Sequence, residues 1–247
     1  MGQKYFFASD FHLGAPEKEI SLEREKRIIR WLDFIKDDAK AVFLLGDIFD
    51  YWYEWKHVVP KYFYRFFTKL AELREQGVEI HYFTGNHDVW QYHYLKDEFG
   101  INVWTEPRLF ELDGKKIFCG HGDGLGSGSL GYAFIKWVFT NRVLQFLFTN
   151  FFHPNVAMQI GYSWSKRRHQ YDREIFPFQG DKEHIIKYIR SIMKETSADC
   201  YIFGHRHLEA DIFLEENVKY INTGCWFKSS PYAVLCNQNI RLEYFGG

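Results

Sequence analysis

Asp10 and His12 lie two apart at the end of a short apolar run, so both side chains would leave the same face of a strand, the spacing of a chelating pair. Four more runs end in the same kind of residue: Gly46-Asp47, Gly85-Asn86-His87-Asp88, Gly120-His121-Gly122-Asp123 and Gly204-His205-Arg206-His207. One Asp-x-His alone is ordinarily loop polarity. Five strand ends that all carry Asp, Asn or His, most of them after Gly, have no packing explanation. Ligands of open α/β sheets bind at the carboxyl ends of strands, and a glycine there lets a sharp turn bring the backbone close to them.

The donors are the carboxylates of Asp10 and Asp47, the amide oxygen of Asn86 and the imidazoles of His12, His121, His205 and His207, with no thiolate among them. Such a set suits Mn, Fe or Zn better than a soft metal or a pure calcium site. If Asp47 is shared, two divalent ions each receive four protein ligands, and the centre keeps a net positive charge that attracts phosphate oxygens. Paired ions of this kind acidify water and stabilise the entering and leaving oxygens of an in-line displacement, so hydrolysis needs no protein nucleophile. His87 is placed either to hydrogen-bond or protonate the leaving oxygen, with Asp88 orienting it, or to serve as a structural histidine behind the ligands.

The elements that must position these residues read as a βαβ series. Apolar runs at Tyr5-Phe6-Phe7-Ala8, Ala41 to Leu45, Ile80 to Phe83, Lys116 to Cys119 and Cys200 to Phe203 alternate with amphipathic stretches. Leu22 to Asp38 and Tyr62 to Gln76 have the spacing of crossover helices, the second ended by Gly77. Val218 to Phe245 holds two or three further strand-like pieces, expected to close a second sheet in antiparallel fashion.

Gly131 to Tyr171 breaks the rhythm: it is long, aromatic and without strand signals, and is expected to be a helical insertion that Pro154 divides in two. Lys136 and Arg142 interrupt its apolar run and Asn150, Pro154 and Asn155 break the remainder, so it is not a membrane span. Two readings stand for it, an interfacial cap that receives acyl chains or plain packing against the sheet. The Lys166-Arg167-Arg168 cluster could meet a diphosphate or anionic head groups, or form a solvated face. Tyr51, Trp52, Tyr53 and Trp55 likewise read either as a wall against which a base or an acyl chain packs, or as core.

At 247 residues the chain is expected to be one domain, 1–247, with its insertion at about 131–171. Aromatic residues make up 20% of it, well above ordinary usage, so part of them should line a surface. A formal net charge of −1 gives no basic footprint for nucleic acid. Cys119, Cys200, Cys225 and Cys236 form no CxxC pair and read as reduced thiols, suiting a cytoplasmic protein. Lys4 to Ser9 is too short for the apolar core of a signal peptide, so the mature chain is expected to start here.

In order and spacing, Asp10-Phe11-His12, Gly46-Asp47-Ile48-Phe49-Asp50, Gly85-Asn86-His87-Asp88, Gly120-His121-Gly122-Asp123 and Gly204-His205-Arg206-His207 resemble the five motifs of calcineurin-like metallophosphoesterases. The resemblance implies an α/β fold, a four-layer αββα sandwich with a helical cap insertion. It also implies one ion held by Asp10, His12, Asp47 and His207 and another by Asp47, Asn86, His121 and His205.

Within that superfamily the chain looks most like the bacterial UDP-2,3-diacylglucosamine pyrophosphatases of lipid A synthesis, in length, in motif spacing, in Gly131-Tyr132 soon after Asp123, and in the apolar insertion. That likeness implies cleavage of a lipid-linked nucleotide sugar to UMP and a lipid 1-phosphate, with manganese, peripherally at the cytoplasmic face of the inner membrane. The expected substrate contacts are Asn86, Tyr132, Lys166, Arg167 and Arg168. One residue departs from the pattern: where that family characteristically has Arg, this chain has His87, the general superfamily residue.

Two rivals belong to other classes. A nuclease fits poorly with the weak basicity and the apolar insertion. A non-catalytic scaffold would have no need to keep every ligand position filled together with His87.

Overall fold

The computed structural model describes residues 3–126, 130–171 and 177–246. The strands are β1 (Lys4–Ala8), β2 (Ala39–Leu45), β3 (Glu79–Phe83), β4 (Asn102–Trp104), β5 (Arg108–Leu112), β6 (Lys115–Cys119), β7 (Cys200–Phe203), β8 (Glu209–Glu215), β9 (Val218–Thr223), β10 (Pro231–Cys236) and β11 (Asn239–Tyr244). The helices are α1 (Lys18–Ile35), α2 (Tyr64–Glu75), α3 (Tyr94–Phe99), α4 (Leu130–Thr140), α5 (Arg142–Phe151), α6 (Pro154–Tyr171) and α7 (His184–Thr196).

Strand side chains alternate between faces, and here both faces are buried. Phe6, Val42, Leu44, Ile80 and Tyr82 pack outward against Ile28, Trp31, Phe66 and Leu70 of α1 and α2. Their neighbours Phe7, Phe43, Leu45 and Phe83 point inward against Ile117, Cys119, Ile202 and Ile221 of a second sheet. On that sheet's far side, Phe118, Tyr201 and Phe203 meet Ile185, Ile186 and Ile189 of α7. The layers are therefore helix, sheet, sheet, helix. One sheet has the order β11-β10-β1-β2-β3-β4 and the other β5-β6-β7-β9-β8. Because β1, β2 and β3 are parallel, their carboxyl ends share one edge.

The tail differs from its expected place. β9 does join the second sheet, parallel to β7, but β10 and β11 add to the first, with β10 antiparallel to β1. The physical reason is burial: Ala233 and Leu235 of β10 belong to the core between the sheets while Tyr232 and Val234 face α1.

The insertion is three helices rather than two. Asn141 starts α5, its side chain accepting from the Val143 and Leu144 amides at 3.0 and 3.1 Å. Pro154 begins α6, where its missing N–H costs nothing. Ala157 of α6 packs on Tyr51, Tyr53 and Trp55, which with Trp52 are buried, so this aromatic run is core beneath the cap, with Tyr51 also on the wall of a cavity there. Polar ties fix the cap to the body: the Trp90 indole donates to the Phe139 carbonyl at 2.9 Å, the Tyr53 hydroxyl meets Thr149 at 2.6 Å, and Lys136 meets Asp123 at 3.2 Å. The outer side of α5 stays open, with Val143, Phe146 and Phe151 exposed.

Gly77 ends α2 with φ +87°, its amide donating to the Arg74 carbonyl at 3.0 Å. A Cβ there would touch nothing within 4 Å. Gly77→Ala should therefore cost only the left-handed conformation, about 1–2 kcal/mol. Thermal melting should show a fall of several degrees (~2–4 °C per kcal/mol for a chain of this size) with kcat/KM unchanged.

Candidate metal centre

Each motif leaves its strand through a turn, and at Asp10, His12, Asp47, His205 and His207 the backbone is left-handed, with φ between 44 and 67°. Asp10 and His12 thus converge through a kinked turn, not through the two-residue alternation of a strand. Non-glycine residues in this region cost about 1–3 kcal/mol each and persist where the surroundings over-determine them. The surroundings here do so. Buried Arg24 of α1 donates to the carbonyls of His12 and Ala15, and Arg206 is held by Glu183 at 2.9 Å just before α7. The His205 amide donates to Asp10 Oδ2 at 3.0 Å.

Asp47 is the common member of the cluster. Its Oδ1 accepts from the His87 amide at 2.9 Å, while its Oδ2 lies 3.2 Å from His121 Nε2 and 3.9 Å from His12 Nε2. Gly85 makes this possible, since a Cβ there would overlap the Asp47 backbone nitrogen and Oδ1. Two groups of donors result, Asp10, His12, Asp47 and His207 on one side and Asp47, His121 and His205 on the other.

The ring nitrogens are set by what lies behind them. His121 Nδ1 donates to the Leu45 carbonyl at 2.8 Å, which turns the lone pair of Nε2 toward Asp47. His12 Nδ1 faces Asp50 Oδ1 at 3.3 Å, and its Nε2 lies 3.0 Å from Nε2 of His207. Burial and the nearby charge of His121 lower the His205 pKa to about 4, so that imidazole is neutral.

These residues fit divalent metal ions. Asn86 Oδ1 is buried without a hydrogen-bond partner, and Asp10 Oδ1 and His121 Nε2 face other members of the cluster, His207 Nε2 and Asp47 Oδ2, at 3.2 Å each, an arrangement a fold carries only where something else satisfies these atoms. The electrostatics agree. Burial alone would lower the pKa of His12, yet hydrogen bonds with Asp10 and Asp50 and the charge of Asp47 raise it to about 10. His121 is likewise lowered by burial but raised to about 10 by Asp47. Burial acts against the ionised form of Asp47, and the charges of His121 and His87 outweigh it and hold the carboxyl well below its usual range. The cluster demands positive charge, which divalent ions supply in place of protons.

His87 sits over this centre, its ring 4.8 Å from that of His12. Its Nδ1 lies 2.8 Å from the Asp50 carbonyl and 3.7 Å from Asp50 Oδ1. The expectation for Asp88 needs correction: its carboxylate accepts from the amides of Gly85 at 2.7 Å, Ile48 at 2.9 Å and Phe49 at 3.3 Å, and from the Tyr82 hydroxyl. Asp88 therefore pins the Asp47 turn to the Asn86 turn, and Asp50 is what lies against His87. Burial and the charge of Asp47 raise the Asp88 pKa to about 6. Asp50 had a signal in the sequence, three residues after Asp47. Ser165 of α6, which hydrogen-bonds Asp50 Oδ2 at 2.5 Å, and Lys136, which reaches Asp123, had none.

A cavity of about 250 Å³ opens at Asn86 and His87 and runs beneath the cap between Ile135, Phe139, Phe148 and Trp164. The side chains of Tyr132, Lys166, Arg167 and Arg168 lie outside the described residues.

Asp47→Ala should strip bound divalent metal, measured by mass spectrometry of the purified protein, and abolish hydrolysis. Asp88→Ala should instead leave four buried donors without their acceptor and cost about 3 kcal/mol or more of stability in a denaturant titration. A stable Asp88→Ala protein that lost only rate would restore Asp88 to a catalytic part.

The family described as calcineurin-like phosphoesterase matches residues 4–209. The chain is 36% identical over 259 residues to the UDP-2,3-diacylglucosamine hydrolase of Porphyromonas gingivalis, a match covering 98% of each chain. It is 30% identical over 249 residues to the enzyme of that name from Yersinia pseudotuberculosis, covering 97% of this chain and 98% of the relative. With the Aeromonas salmonicida enzyme of the same name it shares 23% identity over 240 residues, covering 96% and 91%. Two packed sheets that bring their strand ends together in a buried cluster of carboxylates and imidazoles, and relatives that match it end to end, make this chain a metal-dependent hydrolase of the calcineurin-like phosphoesterase family.

Proposed function

We propose that the chain hydrolyses the diphosphate of a UDP-linked 2,3-diacylglucosamine, releasing UMP and the diacyl sugar 1-phosphate, as one domain whose insertion at about 131–171 acts as the cap. The observation that carries this reading is the apolar cavity that opens directly at Asn86 and His87, with walls suited to hydrocarbon. That the relatives are UDP-2,3-diacylglucosamine hydrolases supports the nucleotide sugar.

Two ions, preferentially manganese, fit the oxygen and imidazole donors, one held by Asp10, His12, Asp47 and His207 and the other by Asp47, Asn86, His121 and His205. When bound they supply Lewis-acid charge for the diphosphate and acidify water. The protein's own part is orientation and proton delivery. Asp50 fixes His87 through Nδ1, so Nε2 is the atom that meets substrate. Burial lowers the pKa of His87, and an incoming diphosphate offsets that, letting the ring carry the proton that it gives to the leaving phosphate oxygen. Like the Arg of the resembled family, His87 then presents a cationic donor. Tyr132 and Lys166, Arg167 and Arg168 are assigned to sugar and phosphate contacts on the cap.

No helix among the described residues is long and apolar enough to cross a membrane. The exposed Val143, Phe146 and Phe151 of α5 suit a cap face that lies in the interface of the inner membrane, on its cytoplasmic side, where a diacyl substrate resides.

Two outcomes are expected. His87→Ala should keep its metal content and lose about 10²–10⁴-fold in kcat. Because each buried methylene is worth about 0.8 kcal/mol, kcat/KM should fall by orders of magnitude from the diacyl substrate to its deacylated counterpart, and Phe148→Asp, on the cavity wall, should shrink that gap. Equal efficiency on both substrates would remove the lipid part of the reading and leave the phosphoesterase.

A further inference from the structure

We infer that a second, larger cavity beside the metal centre receives the nucleoside monophosphate half of the diphosphate substrate, an assignment that rests on the function proposed above. This cavity measures about 660 Å³, inside the range of about 300–1,000 Å³ usual for small-molecule sites. Its walls come from the start of α1, the start of α2 and one residue of the cap, Tyr162. On α6, Tyr162 points away from Ile160 and Trp164, which line the acyl cavity, so one helix separates the two spaces. Asp50 borders both. A substrate whose scissile bond lies at the centre has two arms to place, and the fold offers two cavities that diverge from the residue holding His12 and His87.

The linings decide which arm goes where. The smaller cavity is walled by Ile135, Phe139, Phe148 and Trp164, and the cation on its wall, Lys136, is paired with Asp123 at 3.2 Å. The larger one carries Lys18, Lys61 and Arg65 together with the rings of Phe63 and Tyr162. Arg65 already has Glu25 at 3.9 Å, but hydrocarbon laid against Lys18 and Lys61 would strip them of water without giving them a partner. A nucleotide answers these features: its phosphate meets the cations and its base lies on an aromatic face. The cations are already drawn over rings here, with Lys61 Nζ 5.5 Å from the centre of Tyr62 and the Arg65 guanidinium 4.5 Å from that of Tyr64.

Calorimetric titration of UMP into the manganese-loaded full chain tests the assignment without turnover. UMP should bind the unaltered protein. The double variant Lys18→Glu, Lys61→Glu should weaken it by about tenfold or more, and so should Leu22→Trp, which plugs the cavity from α1 by bulk instead of charge. Inorganic phosphate, which needs only the centre, should bind all three proteins alike, and Ile135→Asp in the acyl cavity should leave UMP affinity intact. No UMP binding to the unaltered protein, unchanged UMP affinity in both altered proteins, or a parallel loss of phosphate affinity would each overturn the assignment. Failure to cleave the diacyl substrate with these UMP results intact would count against the proposed function and not against the cavity.

Discussion

A carboxylate buried away from water must be held by donors and matched by positive charge, and at Asp47 that requirement organises everything around it. One oxygen accepts from the His87 amide, and the other faces the imidazoles of His121 and His12. The turn that presents it is pinned by Asp88, whose carboxylate gathers donors from both the Asp47 and the Asn86 turns. Gly85 is the residue it is because any side chain there would occupy the space Asp47 needs. The strands β1, β2 and β3 run parallel so that these turns fall on one edge.

The same requirement explains where the molecule stores strain. The left-handed backbone at Asp10, His12, Asp47, His205 and His207 concentrates on the donors themselves, and residues as distant in sequence as Arg24 and Glu183 are spent on holding those turns. Asp50 extends the arrangement outward. It touches His12 and His87 on one side and Ser165 of the cap on the other, so a cap assembled from the insertion is registered against the centre by a hydrogen bond rather than by apolar contact alone. That registry lets a cavity walled by hydrocarbon end at a charged site.

How much of this was legible in the sequence depended on how local the cause was. Asp10, His12, Asp47, Asn86, His121, His205 and His207 stood out because their types and the glycines beside them are unusual at strand ends, and α2 was readable down to Gly77, whose conformation follows from the residue. The partner of β10 was not readable, because Ala233 and Leu235 would suit the inner face of either sheet and only the packed core decides between them. The aromatic run from Tyr51 to Trp55 read as a binding wall as readily as core, and only the packed cap shows it buried, with Tyr51 alone of the four on the cavity wall. Asp88 was misread because adjacency to His87 in sequence is not adjacency of side chains in a turn, and Ser165 was invisible because nothing in a helical segment announces a contact with a residue 115 positions away.

The shared carboxylate is the point on which the proposed two-ion centre stands or falls, and anomalous diffraction from manganese-loaded crystals addresses it directly. Two peaks flanking Asp47 Oδ2, one beside His12 and His207 and the other beside His121 and His205, are expected. A single peak, or a pair that leaves Asp47 uncoordinated, would contradict it.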